Sequence, residues 1–335
     1  MHRTFTTYCQ RQPVIFSYYN QNQLYFFMTY KVKSPILFLI FNRPNESRTV
    51  FDAIKKAQPS KLYIAADGPR VTKVDDVFLC DKTREIIKEI NWNCELKTLL
   101  RKENLGCKTA VSGSINWFFD NEAEGIILED DCLPNALFFK YCDVLLDKYR
   151  LDTRIRHISG CKMNLGTPPN NATYYFSKLT HVWGWATWRR VWKDYDVNLQ
   201  LLDKVLATSL HKEIFHNNKV TKHIFKQFRL TQNGSIDTWD YQYVFCNLIN
   251  NGLSINPNYN LISNIGFNQN ATHISDGQNK YANIPLDHFT SIIHPDIVLP
   301  NVGLDVKQLK SEMPTFFNRI KNKLTGIYRL FLKSK

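Results

Sequence analysis

The chain has 335 residues, with 43 Lys and Arg against 30 Asp and Glu, a formal net charge of +13 and a hydrophobic share of 44%. That length suits one elaborated domain with appendages rather than two large ones, and the apolar content excludes a chain without a core. No apolar run approaches the ~18 residues of a membrane-spanning helix, the eight cysteines form no C-x-x-C pair, and the basic excess points to an anionic partner: nucleic acid, phosphorylated substrate or membrane surface. Scattered thiols are expected to stay reduced, which suits a cytoplasmic protein.

Residues 1–33 carry no acidic side chain, are rich in aromatic residues, Gln and Asn, and show no period. They read as a leader, either not native or disordered, with Met28 a second candidate start of translation. From residue 34 buried apolar runs alternate with amphipathic segments. "ILFLIF" predicts a strand, "NESRTVFDAIKKA" a helix with Asn45 at its N-cap, and "LYIAADG" a strand ending in the turn Asp67-Gly68-Pro69. "TREIIKEI" predicts a helix, "CELKTLL" a strand, "CKTAVSGSINWFFD" a helix and "GIILE" a strand, with Pro134 near the start of the helix "NALFFKYCDVLLDKY". This is the pattern of βαβ units: an α/β fold with a mostly parallel central sheet flanked by helices. Beyond about residue 160 the alternation gives way to Trp-rich loops, a long polar helical stretch and short strands near "GLSINPN" and "NLISNI".

The last segment, 316–335, holds six Lys or Arg and no acid, with Phe317, Ile320, Leu324, Ile327, Tyr328 and Leu332 near helical spacing. It reads either as an interfacial helix on anionic lipid or as a surface helix packed on its own domain.

In such sheets the loops after the strands share one crevice, where ligands bind. Asn42-Arg43, Asp67-Gly68 and Glu129-Asp130-Asp131 all come after predicted strands, so three polar clusters are expected to converge. Three adjacent carboxylates repel one another and lose hydration in a cleft, an arrangement that costs stability unless a cation sits there. Their hard oxygens suit Mg²⁺ or Mn²⁺ shared with substrate phosphates; the competing reading is a cap for the next helix. Along an extended chain Glu129 and Asp131 face one way and Asp130 the other.

Gly106 and Lys108, at a helix start, suit a diphosphate through orphan N–H groups and a point charge, though a first-turn lysine is often merely solvated. Trp183 and Trp185 offer ring faces for a sugar, and Gly184 between them leaves room for a ligand or another backbone. Trp185, Trp188 and Trp192 stand at helical spacing and also read as core, the last two more so. Asp237 and Asp240 flank Trp239, where one can act as general base and the other as a cap. His273 comes after a glycine-containing loop and is a candidate metal ligand or a solvated side chain.

The stretch from Ile126 to Tyr141, "IILEDDCLPNALFFKY", resembles the metal-binding strand end of GT-A glycosyltransferases, most closely those of the N-acetylglucosaminyltransferase I type and bacterial nucleotide-diphospho-sugar transferases with the same acidic triplet. "IFNRP", "AADGP", "GWATWRR" and "DTWDYQ" fall in the order of that family, so the resemblance covers roughly residues 34–273. It implies a GT-A type fold over 34–300, with a nucleotide-sugar half (34–160), an elaborated C-terminal acceptor half (161–300) and a basic amphipathic tail (301–335). It implies a metal-dependent, inverting glycosyltransferase that moves a hexosyl or N-acetylhexosaminyl group from a nucleotide-diphosphate sugar, UDP-linked, to a glycan or lipid-linked acceptor.

On the matching positions, Arg43 and Asp67 would hold the nucleotide, Asp131 the Mn²⁺ or Mg²⁺ ion, Asp130 the ribose or a water on the metal, and Glu129 the donor sugar. Trp183, Gly184 and Trp185 would lie under the donor sugar beside the acceptor, Asp237 or Asp240 would be the base, with Trp239 slightly favouring Asp237, and His273 would close the metal site. With the basic tail, this suggests an enzyme at the inner face of the cell membrane. Two other readings stand beside it. A sugar-phosphate nucleotidyltransferase would need a glycine-rich first loop that is absent here. A basic membrane- or nucleic-acid-binding protein fits the charge, but cations gathered at the termini speak against nucleic acid.

Overall fold

The computed structural model describes residues 30–163, 171–267 and 281–313. The apolar runs of the first half become strands that the sheet buries on both faces. β1 (Ile36–Ile40), β2 (Lys61–Ala66) and β4 (Glu124–Glu129) are almost wholly buried, while β3 (Glu95–Leu100) stands at the sheet edge with alternating exposure. Between them run α1 (Pro44–Ala57), α2 (Asp76–Arg84) and α3 (Gly106–Asn121).

Local chemistry sets their ends. In α1, Val50, Phe51, Ile54 and Ala57 form the buried face, Pro44 occupies the first turn where no N–H is needed, and Gln58 ends the helix in a left-handed conformation. Asn45 therefore lies inside the first turn, and the cap expected there falls to Arg43. The helix expected over "TREIIKEI" starts earlier, at Asp76, and continues from Glu85 to Glu89 as a 3₁₀ segment. Pro134 closes a short strand, β5 (Cys132–Pro134), and Asn135 caps α4 (Ala136–Lys148) by accepting the Phe138 N–H.

The second half adds β6 (Ile155–Ser159), β7 (Tyr174–Ser177), β8 (Trp185–Trp188), the single turn α5 (Arg189–Trp192), α6 (Leu202–Thr208), α7 (Asn218–Gln232), α8 (Asp240–Ile249), β9 (Leu253–Pro257), β10 (Ile262–Asn264) and α9 (Val302–Glu312). The main sheet runs β3-β2-β1-β4-β8-β6-β9-β7, and β5 and β10 form a separate antiparallel ribbon. β1, β2, β3 and β4 are mutually parallel, β6 and β9 are parallel to each other, and only β8 and the edge strand β7 run against their neighbours. The expected α/β fold with a mostly parallel sheet flanked by helices is thus present. The helical spacing read for Trp185 and Trp188 is not: both sit on β8, although both are buried as core, and so is Trp192.

The sheet places the site. From β1 the chain moves outward through β2 to β3, then returns to lay β4 on the other side of β1. That reversal makes the carboxyl ends of β1 and β4 a topological switch point, where the outgoing loops diverge and leave a crevice. One hydrophobic core spans the sheet, and a second, mainly helical cluster joins Leu202, Val220, Ile224, Phe228, Phe245 and Leu309 beside it.

Two sequence boundaries shift. Tyr30, Lys33 and Ser34 all donate hydrogen bonds to the Asp143 carboxylate, and the Val32 N–H donates to Ala57, so the packed body begins at least four residues before 34. At the other end the Asp305 carboxylate of α9 accepts from Ser177 and the Lys178 N–H, which joins the start of the expected tail to the body. Met28, the amphipathic stretch 316–335 and His273 lie outside the described residues. Among the described residues no helix is long and apolar enough to cross a membrane, and the seven described cysteines are free thiols.

Candidate active site

Register carries the acidic triplet to the switch point. Leu39 of β1 pairs with Glu129 of β4, so the chain leaving β1 at Arg43 meets the chain leaving β4 at Asp130 and Asp131. Arg43 Nη1 donates to Asp131 Oδ2 at 2.7 Å and to Asp130 Oδ1 at 3.3 Å, with all three side chains largely buried. The positive charge that the triplet requires is thus a guanidinium of the chain itself. Burial works against that guanidinium's charge, and Asp130 and Asp131 outweigh it, so its pKa is raised.

One arginine does not neutralise the crevice. Glu129 is pushed well above the usual carboxylate range by burial and then by Asp131, Asp130 and Asp240. Asp130 is raised to about 7, chiefly by burial; Arg43 acts in the opposite sense, and Asp131 adds to the rise. Burial is thus the first cause at both acids, and the neighbouring carboxylates outweigh Arg43 at Glu129 but not at Asp130. Among the described residues no three His, Cys, Asp or Glu side chains gather in metal-binding geometry. The donor set is nonetheless of the right kind for Mg²⁺ or Mn²⁺, hard carboxylate oxygens, and an ion bound at Asp131 would complete its shell with substrate oxygens or water.

The β5/β10 ribbon covers this cluster. The Ile265 N–H donates to the Asp131 carbonyl at 2.8 Å, and a Cβ built on Gly266 would stand 2.3 Å from Asp131 Oδ2. Only glycine lets that backbone lie against the carboxylate.

Asp67, at the end of β2, has a different task. Its carboxylate accepts from the Gly68, Leu105 and Gly106 N–H groups and from the Asn104 side chain, at 3.0 to 3.2 Å. It is a cap supplied across the sheet to the start of α3, with Arg84 bound to its carbonyl. Gly68 presses so close to Glu103 that an added Cβ would stand 2.4 Å from the Glu103 backbone. This revises two expectations. The Asp67 oxygens are taken by the protein, so direct contact with a nucleotide base is not their resting use. The first N–H groups of α3, read as a diphosphate cradle, already hold a carboxylate; Lys108 lies half-buried in the turn beyond them.

From the second half, α8 brings Asp237 and Asp240 to the same place. Asp237 is exposed, and its Oδ2 stands 3.6 Å from where a Cβ on Gly106 would be. Asp240 is half-buried at the first helical position, where its carboxylate accepts from the Thr238 hydroxyl and from the Tyr241 N–H at 2.9 Å. Cys107 marks the convergence: its thiol is raised to about 12 by burial, and after that by Glu129, Asp240, Asp237 and Asp67. Acids from β2, β4 and α8 thus act on one thiol.

Packed aromatic rings hold this approach. Trp185 is fully buried, stacked on His157 at 5.3 Å and on Trp239 at 5.7 Å. It has no face left for a sugar, which corrects the platform role. Gly184 is buried as well, and its missing Cβ leaves room for the Ile262 side chain, which would stand 2.4 Å away, rather than for a ligand. Trp183 alone of the three stays partly open, edge-on to Phe267 and Tyr281. Two further residues carry no sequence motif. Tyr195 stacks on Trp192 at 4.4 Å and donates to the Trp239 carbonyl at 3.0 Å, fixing the turn that carries Asp237 and Asp240. Asn104 is the side-chain donor to Asp67. Both lie in polar loops, where the Trp-x-x-Tyr spacing is the one signal that could have pointed to Tyr195 and nothing points to Asn104.

Comparisons with known proteins add little. The sequence matches no family model and no curated protein. Among solved structures it is similar to TarS 1–349 from S. aureus, at 12% identity and a TM-score of 0.33, over 49% of each chain; it thus spans about half the length of that protein. It is also similar to HddC from Yersinia pseudotuberculosis (12% identity, TM-score 0.31, 51% of this chain and 86% of that one). A third is the inositol-1-phosphate CTP transferase from T. maritima (7% identity, TM-score 0.32, 53% and 83%). Likeness at this level assigns the chain to no family and fixes no substrate.

Proposed function

We propose that the chain is a GT-A type glycosyltransferase that moves a sugar from a nucleotide-diphosphate donor, UDP-linked, to a hydroxyl of a glycan or lipid-linked acceptor, with inversion and with Mn²⁺ or Mg²⁺. The reading is carried by the meeting, at the switch point between β1 and β4, of a buried carboxylate cluster with acids from the opposite half. Such a site favours a divalent cation arriving together with a diphosphate, since either partner alone leaves the charge unbalanced. A bound ion supplies Lewis-acid neutralisation of the departing diphosphate.

The chain's own residues do the rest. Asp131 holds the ion, and Arg43 keeps Asp131 and Asp130 aligned. Glu129 and Asp130 orient sugar and ribose, Lys108 adds positive charge on the diphosphate side, and Asp67 acts through the loop 104–106 that it anchors. Asp237, exposed beside Gly106, takes the acceptor hydroxyl proton, while Asp240 is spent on the start of α8. Trp183 offers a ring edge near the acceptor.

The test is release of UDP from a panel of UDP-sugars with and without Mn²⁺, alongside thermal shift with UDP alone, Mn²⁺ alone and both. Joint stabilisation and metal-dependent UDP release are expected. Pyrophosphate release from a nucleoside triphosphate and a sugar 1-phosphate, without UDP-sugar cleavage, would make the chain a nucleotidyltransferase instead.

A further inference from the structure

Both oxygens of the Asp131 carboxylate are engaged by the chain itself. Oδ2 accepts from Arg43 Nη1 at 2.7 Å and lies against Gly266, where a Cβ would stand 2.3 Å away. Oδ1 faces the thiol of the fully buried Cys132, a weak donor at 3.4 Å, so Oδ2 is the oxygen turned toward the crevice. The ribbon fixes the backbone on that side: the Ile265 N–H donates to the Asp131 carbonyl and the Gly266 N–H to Asn264 Oδ1. Mg²⁺ sits about 2.0 to 2.1 Å from a carboxylate oxygen, closer than any guanidinium nitrogen, and two cations at such range repel strongly. An ion on Oδ2 would have to take the place of Arg43.

Arg43 can give up that place without any rearrangement of the fold. Its backbone is held from both directions, with its carbonyl accepting the Ser47 N–H at 2.9 Å and Pro44 following it at the start of α1. Only side-chain torsions have to change, and the side chain keeps 17% of its surface open to solvent. The planar guanidinium fork matches phosphate as well as it matches carboxylate. A diphosphate at the same switch point therefore offers the displaced cation a second anion.

We propose that Arg43 is an exchangeable counter-ion: it keeps Asp130 and Asp131 aligned and compensated until it yields Asp131 to a divalent cation, and then turns to the diphosphate that comes with that cation. The inference rests on the metal-dependent, nucleotide-diphosphate reading above and gives its two ligands a reason to bind together. A cation alone must displace Arg43 from its partner, and a diphosphate alone finds Arg43 engaged. Each ligand removes the obstacle to the other, which is a coupling between them carried by one side chain.

The test is calorimetric titration with Mn²⁺ alone, and with UDP at saturating Mn²⁺, of the full-length protein and of Arg43→Gln, folded by circular dichroism. Loss of the competing cation should tighten Mn²⁺ alone at least threefold, while UDP at saturating Mn²⁺ should weaken at least tenfold. These opposite signs separate exchange from a merely structural arginine, whose loss would weaken both ligands. Equal or weaker Mn²⁺ binding in the variant would overturn the proposal, as would unchanged UDP binding. A second measurement needs no variant. Modification of the wild-type Arg43 guanidinium by phenylglyoxal, followed by mass spectrometry, should be slow in the protein alone, at least threefold faster with Mg²⁺, and slow again with Mg²⁺ and UDP. A rate indifferent to Mg²⁺ would keep Arg43 on Asp131 throughout and overturn the exchange. If the wild-type protein binds neither Mn²⁺ nor UDP, the glycosyltransferase reading fails and the exchange with it; binding of both without the reversal of sign ends the exchange alone.

Discussion

The ends of β2 and β4 look alike in sequence, each an apolar strand closing on aspartate, yet the fold uses them in opposite ways. At β2 the chain folds back, so that Asp67 accepts from three backbone N–H groups and Asn104 and becomes part of the scaffold. At β4 the loops diverge, and Asp130 and Asp131 meet one arginine while Glu129 is pressed by its own neighbours. An acid at a strand end is a cap where donors surround it and stays under its neighbours' charge where they do not. The difference lies in what the neighbouring loops bring.

The comparison can be broken by exchanging the roles experimentally. Asp131→Asn should cost roughly 10²- to 10³-fold in metal-dependent UDP release, the scale of losing one preorganised electrostatic group, while the melting temperature stays level or rises as repulsion in the triplet falls. Full activity in that variant would sink the metal assignment. Asp237→Asn should cost about 10²-fold or more in transfer to acceptor, the low end for loss of a general base, whereas Asp240→Asn should chiefly destabilise α8. The reverse ranking, measured on purified proteins at saturating donor, would exchange the two assignments.

At the β2 end the effects are on stability. Asp67→Ala removes the acceptor that caps the start of α3 and should cost about 1 to 2 kcal/mol in chemical denaturation, with a smaller loss of rate than Asp131→Asn. Asp76, beside it, binds Arg70 and Asn42, and the Arg70 side-chain hydrogen bond is the main cause that lowers its pKa to about 2. Because the folded value lies below the unfolded one, this contribution is complete above about pH 4 and is lost as pH falls toward 2. After allowance for solvent at Arg70 it amounts to about 1 to 2 kcal/mol, so the wild-type protein should lose that much more stability than Asp76→Asn between pH 5 and pH 2. An identical pH dependence in the two proteins would show the pair to be neutral.

Much of the first half is legible because its signals are local. Runs such as "ILFLIF" and "GIILE" bury both faces of a central strand, and between their flanking polar and turn residues they are too short for a buried helix. The convergence of Arg43 with Asp130 and Asp131 rests on strand ends sharing a crevice. The second half is harder to read. Trp185 and Trp188 fit a helical period equally well, and their strand state depends on β8 inserting antiparallel between β4 and β6, partners far away in sequence. The platform role of Trp185 fails for the same reason: the ring that suits a sugar face also suits the stack with His157 and Trp239.

The α/β alternation, the succession of the first four strands along the chain and the polar character of the loop after each of them are written in local residue order, because hydrophobic period and residue type act over a few positions. Tertiary packing alone settles which acid is a cap and which is left exposed to its neighbours' charge, that Gly184 and Gly266 make room for a side chain and a carboxylate, and that Asp237 and Asp240 stand opposite the triplet. Those outcomes depend on distances between segments a hundred residues apart, and electrostatic cost is set by such distances and by burial, neither of which any local stretch contains.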